Sequence, residues 1–287
     1  DAQIARNASI MTTFIVILIT ETVFLFISLS FIFPSVTFYI IYIVLLYHIL
    51  LYYDIIWPLI QRCFRFDRRG NAMKVFANIP GAFKLLNCLK YMEPYKKEIE
   101  AARAAGDFER ERQFILKATS SWGPMVMEMF GSSVNVKGIE NLPDSGPVVM
   151  VGNHQGYADI FTYFSVFTKF QFSFVAKENL GNLPFYGKWI RRIRSVLIKR
   201  NDPRASLKAI SEGIEYLKQG FSLVIFPEGT RSMGPDPGRF HKGSLKLATK
   251  PGVPIVPISI NGSYKMFEEE GYLKGARIDV IVHEPIE

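Results

Sequence analysis

The chain has 287 residues, 49% hydrophobic and 14% aromatic, enough for one sizeable domain with an appendage. Its 34 Lys and Arg against 26 Asp and Glu give a formal charge of +8, which suits nucleic acid, an anionic membrane surface or anionic substrates. The hydrophobic start of the chain favours the last two, and the two cysteines, Cys63 and Cys88, have no metal-type spacing and imply no disulfide framework.

Residues 10–33 carry one charge, Glu21, and residues 38–57 follow after only Pro34, Ser35, Val36 and Thr37. A bilayer core of about 30 Å needs about 20 helical residues, so each run is long enough to span. No small-residue cleavage site marks a signal peptide. Pro34 breaks the helix and leaves almost no loop, which predicts an antiparallel hairpin. Glu21 is costly in lipid and should face the partner helix, where His48 can meet it. Arg62, Arg65, Arg68, Arg69 and Lys74 place the following chain on the cytoplasmic side.

In residues 81–92 the apolar Ala82, Leu85, Leu86, Leu89 and Met92 share one side. This suits a helix lying on a membrane surface or one facing a core. Residues 95–118 are rich in charge and read as two solvated helical pieces broken at Gly106 and Asp107, with no chemistry assigned. Three regions result: a membrane hairpin (1–62), interfacial and linker helices (63–130), and an α/β domain (131–287).

From Val134 the period changes from helical to extended. Residues 134–138, 148–151, 172–176, 195–199, 222–226, 255–260 and 278–282 are short β-rich runs with helical segments between several of them. The clearest helix has Asp202 as N-cap, Pro203 at its first position, a stripe of Leu207, Ile210, Ile214 and Leu217, and Gly220 as its stop. The fold class is therefore α/β, a central mixed β-sheet covered by helices and preceded by the two-helix hairpin.

Five stretches carry candidate chemistry. The apolar run 148–151 ends at Asn153 and His154, with Asp159 five positions beyond the histidine. A neutral imidazole can take a hydroxyl proton, and a carboxylate on its far nitrogen fixes the tautomer. Phe226, Pro227, Glu228, Gly229, Thr230 and Arg231 follow another apolar strand. There Gly229 lets the backbone turn, and Arg231 offers a planar fork for phosphate. Residues 195–201 end in Lys199 and Arg200, and 241–246 form a basic loop containing Lys242. Residues 253–258 are apolar and Pro-interrupted, a pattern that argues against a central paired strand and for the lining of a groove.

Taken in chain order, 153–159, 195–200, 226–231 and 253–258 resemble the four motifs of the glycerolipid acyltransferases, most closely the PlsC-type 1-acyl-sn-glycerol-3-phosphate acyltransferases, over roughly residues 130–287. The resemblance implies transfer of an acyl chain from acyl-CoA or acyl carrier protein to the sn-2 hydroxyl of lysophosphatidic acid, making phosphatidic acid without a bound cofactor or metal. His154 would be the general base and Asp159 its orienting partner. Asn153, Arg200, Phe226, Pro227, Glu228, Gly229, Thr230, Arg231 and Lys242 would contact substrate. Residues 253–258 would border the acyl or acceptor site; the sequence does not name the oxyanion stabiliser, for which a backbone N–H near Gly229 or Gly156 is a candidate. The enzyme would sit at the inner membrane with its catalytic domain on the cytoplasmic side, partnered by membrane lipid and not nucleic acid. The second motif departs from the common form, with Arg194 and Lys199 where a glycine and an aspartate are frequent. That charge suits a phosphorylated acceptor, the donor's phosphates or a solvated strand end. Competing readings are an acyltransferase for another lysolipid, such as a lysophospholipid or lyso-ornithine lipid, a non-catalytic lipid-binding membrane protein, and a metal-dependent hydrolase, which lacks a third ligand.

Overall fold

The computed structural model describes residues 72–287 apart from Lys169, Arg200 and Asn201. Contacts divide the chain into Asp1–Arg69 and Gly70–Glu287, and every element named below belongs to the second unit. The expected membrane hairpin, the Glu21–His48 pairing and the arginines at 62–69 lie outside the described residues. Among the described residues, no helix is long and apolar enough to cross a membrane.

The elements run α1 Ala72–Cys88, α2 Lys96–Ala104, α3 Phe108–Ser120, α4 Trp122–Met129, β1 Ser133–Lys137, β2 Val149–Gly152, α5 Ala158–Val166, β3 Phe172–Lys177, α6 Tyr186–Arg192, β4 Val196–Ile198, α7 Pro203–Lys218, β5 Ser222–Ile225, α8 Lys246–Thr249, β6 Ile255–Asn261 and β7 Arg277–Val282. The strands form one seven-stranded sheet in the order β1-β7-β6-β2-β5-β3-β4. All pairings are parallel except β6 with β7, which is antiparallel, so the sheet is mixed.

Successive side chains point to opposite faces and both faces are covered, so β2 and residues 223–225 of β5 are apolar on either side. Met150 and Val224 join a core shared with Ile115, Trp122, Val126 and Tyr163 from the helices on one face. Their neighbours Val149, Leu223 and Ile225 join a second core with Ala209 and Leu217 of α7 and Leu247 of α8. α7 begins as its sequence dictates: the Asp202 carboxylate accepts the Ala205 N–H at 3.0 Å, and Pro203 opens the first turn. Beyond its last turn Gly220 takes φ +87°.

Helices α1–α4 share the first core with the sheet rather than standing apart from it, through Cys88, Leu89, Met92 and Ile99 as well as α3 and α4. Of the stripe expected at 81–92, Leu89 and Met92 are buried, whereas Ala82 and Leu86 are exposed, as are Phe83 and Tyr91 outside it, beside Lys84 and Lys90.

Two expectations need correction. Residues 255–261 form β6, a central strand between β2 and β7. Pro257 is accommodated next to the first β7 pair, Ile258 with Val282, where the antiparallel pairing begins. Its carbonyl still accepts the His283 N–H at 3.0 Å. Residues 95–118 are not uniformly solvated, because Glu111 is fully buried.

Glu111 grips Arg194 by two hydrogen bonds, Nε to Oε1 at 2.8 Å and Nη2 to Oε2 at 2.7 Å, and also receives Arg103 at 2.7 Å. The Arg194 guanidinium lies against the rings of Phe221 (4.9 Å) and Tyr216 (5.1 Å). The Arg194 charge is thus spent inside the fold, joining α3 to the turn before β4. Removing one partner of a buried pair strands the other. Glu111→Ala should therefore destabilise the domain by about 3–5 kcal/mol, visible as a lowered melting temperature.

Candidate active site

The carboxyl ends of β6, β2 and β5, adjacent in the sheet, carry the motif loops, which is where ligands collect in such sheets. Asn153 leaves β2 but continues its pairing with a side chain. Its Oδ1 accepts the Ile260 N–H at 2.8 Å and its Nδ2 donates to the Ile260 carbonyl at 2.9 Å. The backbone can then turn at His154 without orphaning the end of β6.

The His154 backbone is held at both ends by the loop after β5. Its N–H donates to Glu228 Oε1 at 2.7 Å, and its carbonyl accepts the Ser232 N–H at 2.7 Å. The imidazole stacks on Phe226, with ring centroids 4.1 Å apart and planes 9° apart. Phe226 is itself wedged against Tyr163 (5.7 Å) and Phe174 (6.1 Å). His154 Nδ1 lies 2.6 Å from Asp159 Oδ2. Asp159, in the first turn of α5, is fully buried, and its Oδ2 also accepts the Gly156 N–H at 3.0 Å. With Nδ1 facing a carboxylate, the proton belongs on Nδ1 and the lone pair on Nε2, as a base requires. The side chain keeps 15% exposure, so Nε2 is not sealed from a substrate.

Glu228 is almost fully buried, and both of its oxygens are taken by backbone N–H groups, His154 at Oε1 and Gly238 at Oε2 (2.7 Å each). Its geometry is that of a brace under the His154 backbone. Gly229 adopts φ +68°, a left-handed conformation that a side chain would strain, and Thr230 is exposed. The Pro227 carbonyl accepts the His241 N–H at 2.8 Å, which ties the basic loop to this turn. Lys242 opens the 3-10 turn that follows, and Arg200 lies outside the described residues.

Arg231 donates from Nη1 to Glu268 Oε1 at 2.8 Å, and its guanidinium lies 3.6 Å over the Tyr157 ring. Glu268 also accepts the Tyr157 N–H at 2.9 Å. Burial pushes its carboxyl up from the ordinary value, against the pull of that N–H and of Arg231. Gln155, buried in the same loop, uses its Oε1 to accept the Gly262 N–H at 2.9 Å beyond β6. Sequence reasoning passed over Glu268, Gln155 and Tyr157. Glu268 stands in a Glu-Glu-Glu run that reads as solvated, and its burial is set by the fold. Among the described residues, no group of three His, Cys, Asp or Glu could hold a metal ion.

Residues 133–261 match the family model described as Acyltransferase. That span covers the His154 loop, Arg231 and the strands that carry them. These residues are similar to the acyltransferase family. The chloroplastic 1-acyl-sn-glycerol-3-phosphate acyltransferase LPAT1 of Arabidopsis thaliana is 39% identical over 156 residues, 53% of this chain and 43% of that one. The 1-acyl-sn-glycerol-3-phosphate acyltransferase of Pseudomonas aeruginosa is 35% identical over 136 residues, 47% of this chain and 52% of its own. The chain thus spans about half the length of these curated relatives. The crystal structure of the 1-acyl-sn-glycerophosphate acyltransferase PlsC from Thermotoga maritima superposes with a TM-score of 0.56 at 28% identity, over 75% of this chain and 87% of that one. The acyltransferase fold therefore extends beyond the matched span.

Proposed function

We propose that the chain is a 1-acyl-sn-glycerol-3-phosphate acyltransferase, passing an acyl group from a thioester to the free hydroxyl of lysophosphatidic acid. The observation that carries this reading is the His154–Asp159 pair, held at the ends of β2 and β5 in one frame with Arg231. The relatives' activity supports the same acceptor.

In this mechanism the acceptor hydroxyl gives its proton to His154 Nε2 as its oxygen attacks the thioester carbonyl. Buried Asp159 stabilises the imidazolium that forms. The tetrahedral intermediate collapses by breaking the C–S bond, and His154 returns the proton to the leaving thiolate. The products are one ester and one free thiol. A thioester already has a good leaving group, so no nucleophile on the protein is needed. The acceptor's phosphate is taken by the Arg231 fork, which fixes the hydroxyl near the base.

The donor is acyl-CoA or acyl carrier protein, and no bound cofactor enters the reaction. The apolar runs at 10–33 and 38–57, with exposed Phe83, Leu86 and Tyr91, support a place on the cytoplasmic face of the inner membrane. A panel of acceptors tests the assignment. The full chain should prefer lysophosphatidic acid over monoacylglycerol of the same acyl chain. Arg231→Ala should lower kcat/KM for lysophosphatidic acid by roughly 10–100-fold, the worth of a charged hydrogen bond, and erode that preference. An equal preference in variant and wild type would remove Arg231 from the phosphate site.

A further inference from the structure

We infer that Glu268 is a positioning residue that sets acceptor specificity by fixing Arg231 and locking it to the base-bearing loop; this rests on the acceptor assignment above. Glu268 lies past the span matched by the family model, in the segment between β6 and β7. Its side chain nonetheless reaches both motif loops and is only 3% exposed.

One oxygen, Oε1, accepts from two places: Arg231 Nη1 at 2.8 Å and the backbone N–H of Tyr157 at 2.9 Å. Tyr157 lies in the turn between His154 and Asp159, and its ring forms the floor under the Arg231 guanidinium at 3.6 Å. A single atom therefore joins the phosphate anchor to the loop that carries the base. The other oxygen, Oε2, is buried without a hydrogen-bond partner and packs on Gly156, where any Cβ would collide with it. A buried carboxylate with an idle oxygen is costly unless an adjacent cation compensates it, and Arg231 is that cation. The pairing uses one edge of the arginine fork and leaves its remaining N–H groups for an anion. Without Glu268 the long arginine side chain regains its rotamers, and phosphate binding must order it again.

The test is a double-mutant cycle on the full chain, read as KM for lysophosphatidic acid and for monoacylglycerol of the same acyl chain. Glu268→Ala should raise KM for lysophosphatidic acid about tenfold, as expected for releasing a charged hydrogen bond, and shift KM for monoacylglycerol far less. In an Arg231→Ala background the same replacement should change KM for lysophosphatidic acid less than about twofold, since the group it positions is gone. Glu268→Gln, close to isosteric, repeats the cycle if the alanine variant fails to fold, with a smaller rise that also vanishes in the Arg231→Ala background. An active wild type in which the two penalties multiply, or in which both acceptors suffer equally, overturns the inference. A wild type that does not acylate lysophosphatidic acid overturns the acceptor assignment, and this inference with it.

Discussion

Replacing His154 with Asn should lower kcat for acyl transfer by roughly 10²–10⁴-fold, the range for losing a general base, with the fold retained. The backbone at this position is fixed independently of the ring, by Glu228 on its N–H and Ser232 on its carbonyl. An asparagine amide can stand near the Nδ1 position and still donate to Asp159, so the buried carboxylate keeps a partner. What disappears is Nε2, the atom that takes the hydroxyl proton. His154→Ala should lose activity equally, at a greater cost in stability, because it leaves Asp159 with only the Gly156 N–H at Oδ2. Steady-state thiol release on both variants, beside their melting curves, checks this. A His154→Asn enzyme with near wild-type kcat would remove the base from the mechanism.

Asp159→Asn should also lower kcat by roughly 10²–10⁴-fold, while KM for the acceptor stays nearly constant. Asp159 Oδ2 receives two donors, the Gly156 N–H and His154 Nδ1. An asparagine oxygen in that place keeps both bonds but removes the charge that stabilises the imidazolium. It also buries an NH2 group where Oδ1 already lacks a partner. The opposite orientation of the amide donates to Nδ1, forcing the proton onto Nε2 and disabling the base. Either orientation damages the transition state more than the ground state, because Asp159 is fully buried behind the histidine and has no route to the acceptor. A rise in KM with unchanged kcat would contradict this division of roles.

The strands were legible because their composition follows their burial. Residues 149–152 and 223–225 are apolar at every position, as strands covered on both faces must be. The order of the strands was not legible, since β7 lies between β1 and β6 through pairings that no local signal specifies. Pro257 misled for a related reason. A proline argues against a central strand because it donates nothing to the ladder, yet Pro257 stays paired through its carbonyl with His283.

In the site, His154 and Asp159 stood out because an imidazole and a carboxylate sit close in sequence. Glu228 stood out as a site residue, yet its oxygens turn inward to backbone N–H groups, and side-chain direction is not written in a strand-end motif. Glu111 and Glu268 were hidden among other glutamates. Helical period places Glu111 on the inner face with Ile115 and Ala118, but in a charge-rich helix no pattern says that one charge is buried with two arginines.

The central claim is that this chain transfers an acyl group to the hydroxyl of an acceptor carrying a phosphate. The most direct measurement is free-thiol release from acyl-CoA and acyl carrier protein by the full chain in lipid vesicles, with lysophosphatidic acid or monoacylglycerol as acceptor. Thiol release that depends on lysophosphatidic acid, matches phosphatidic acid formed one for one and is lost in His154→Asn is the predicted result. Thiol release indifferent to the acceptor, or persisting in His154→Asn, would contradict it.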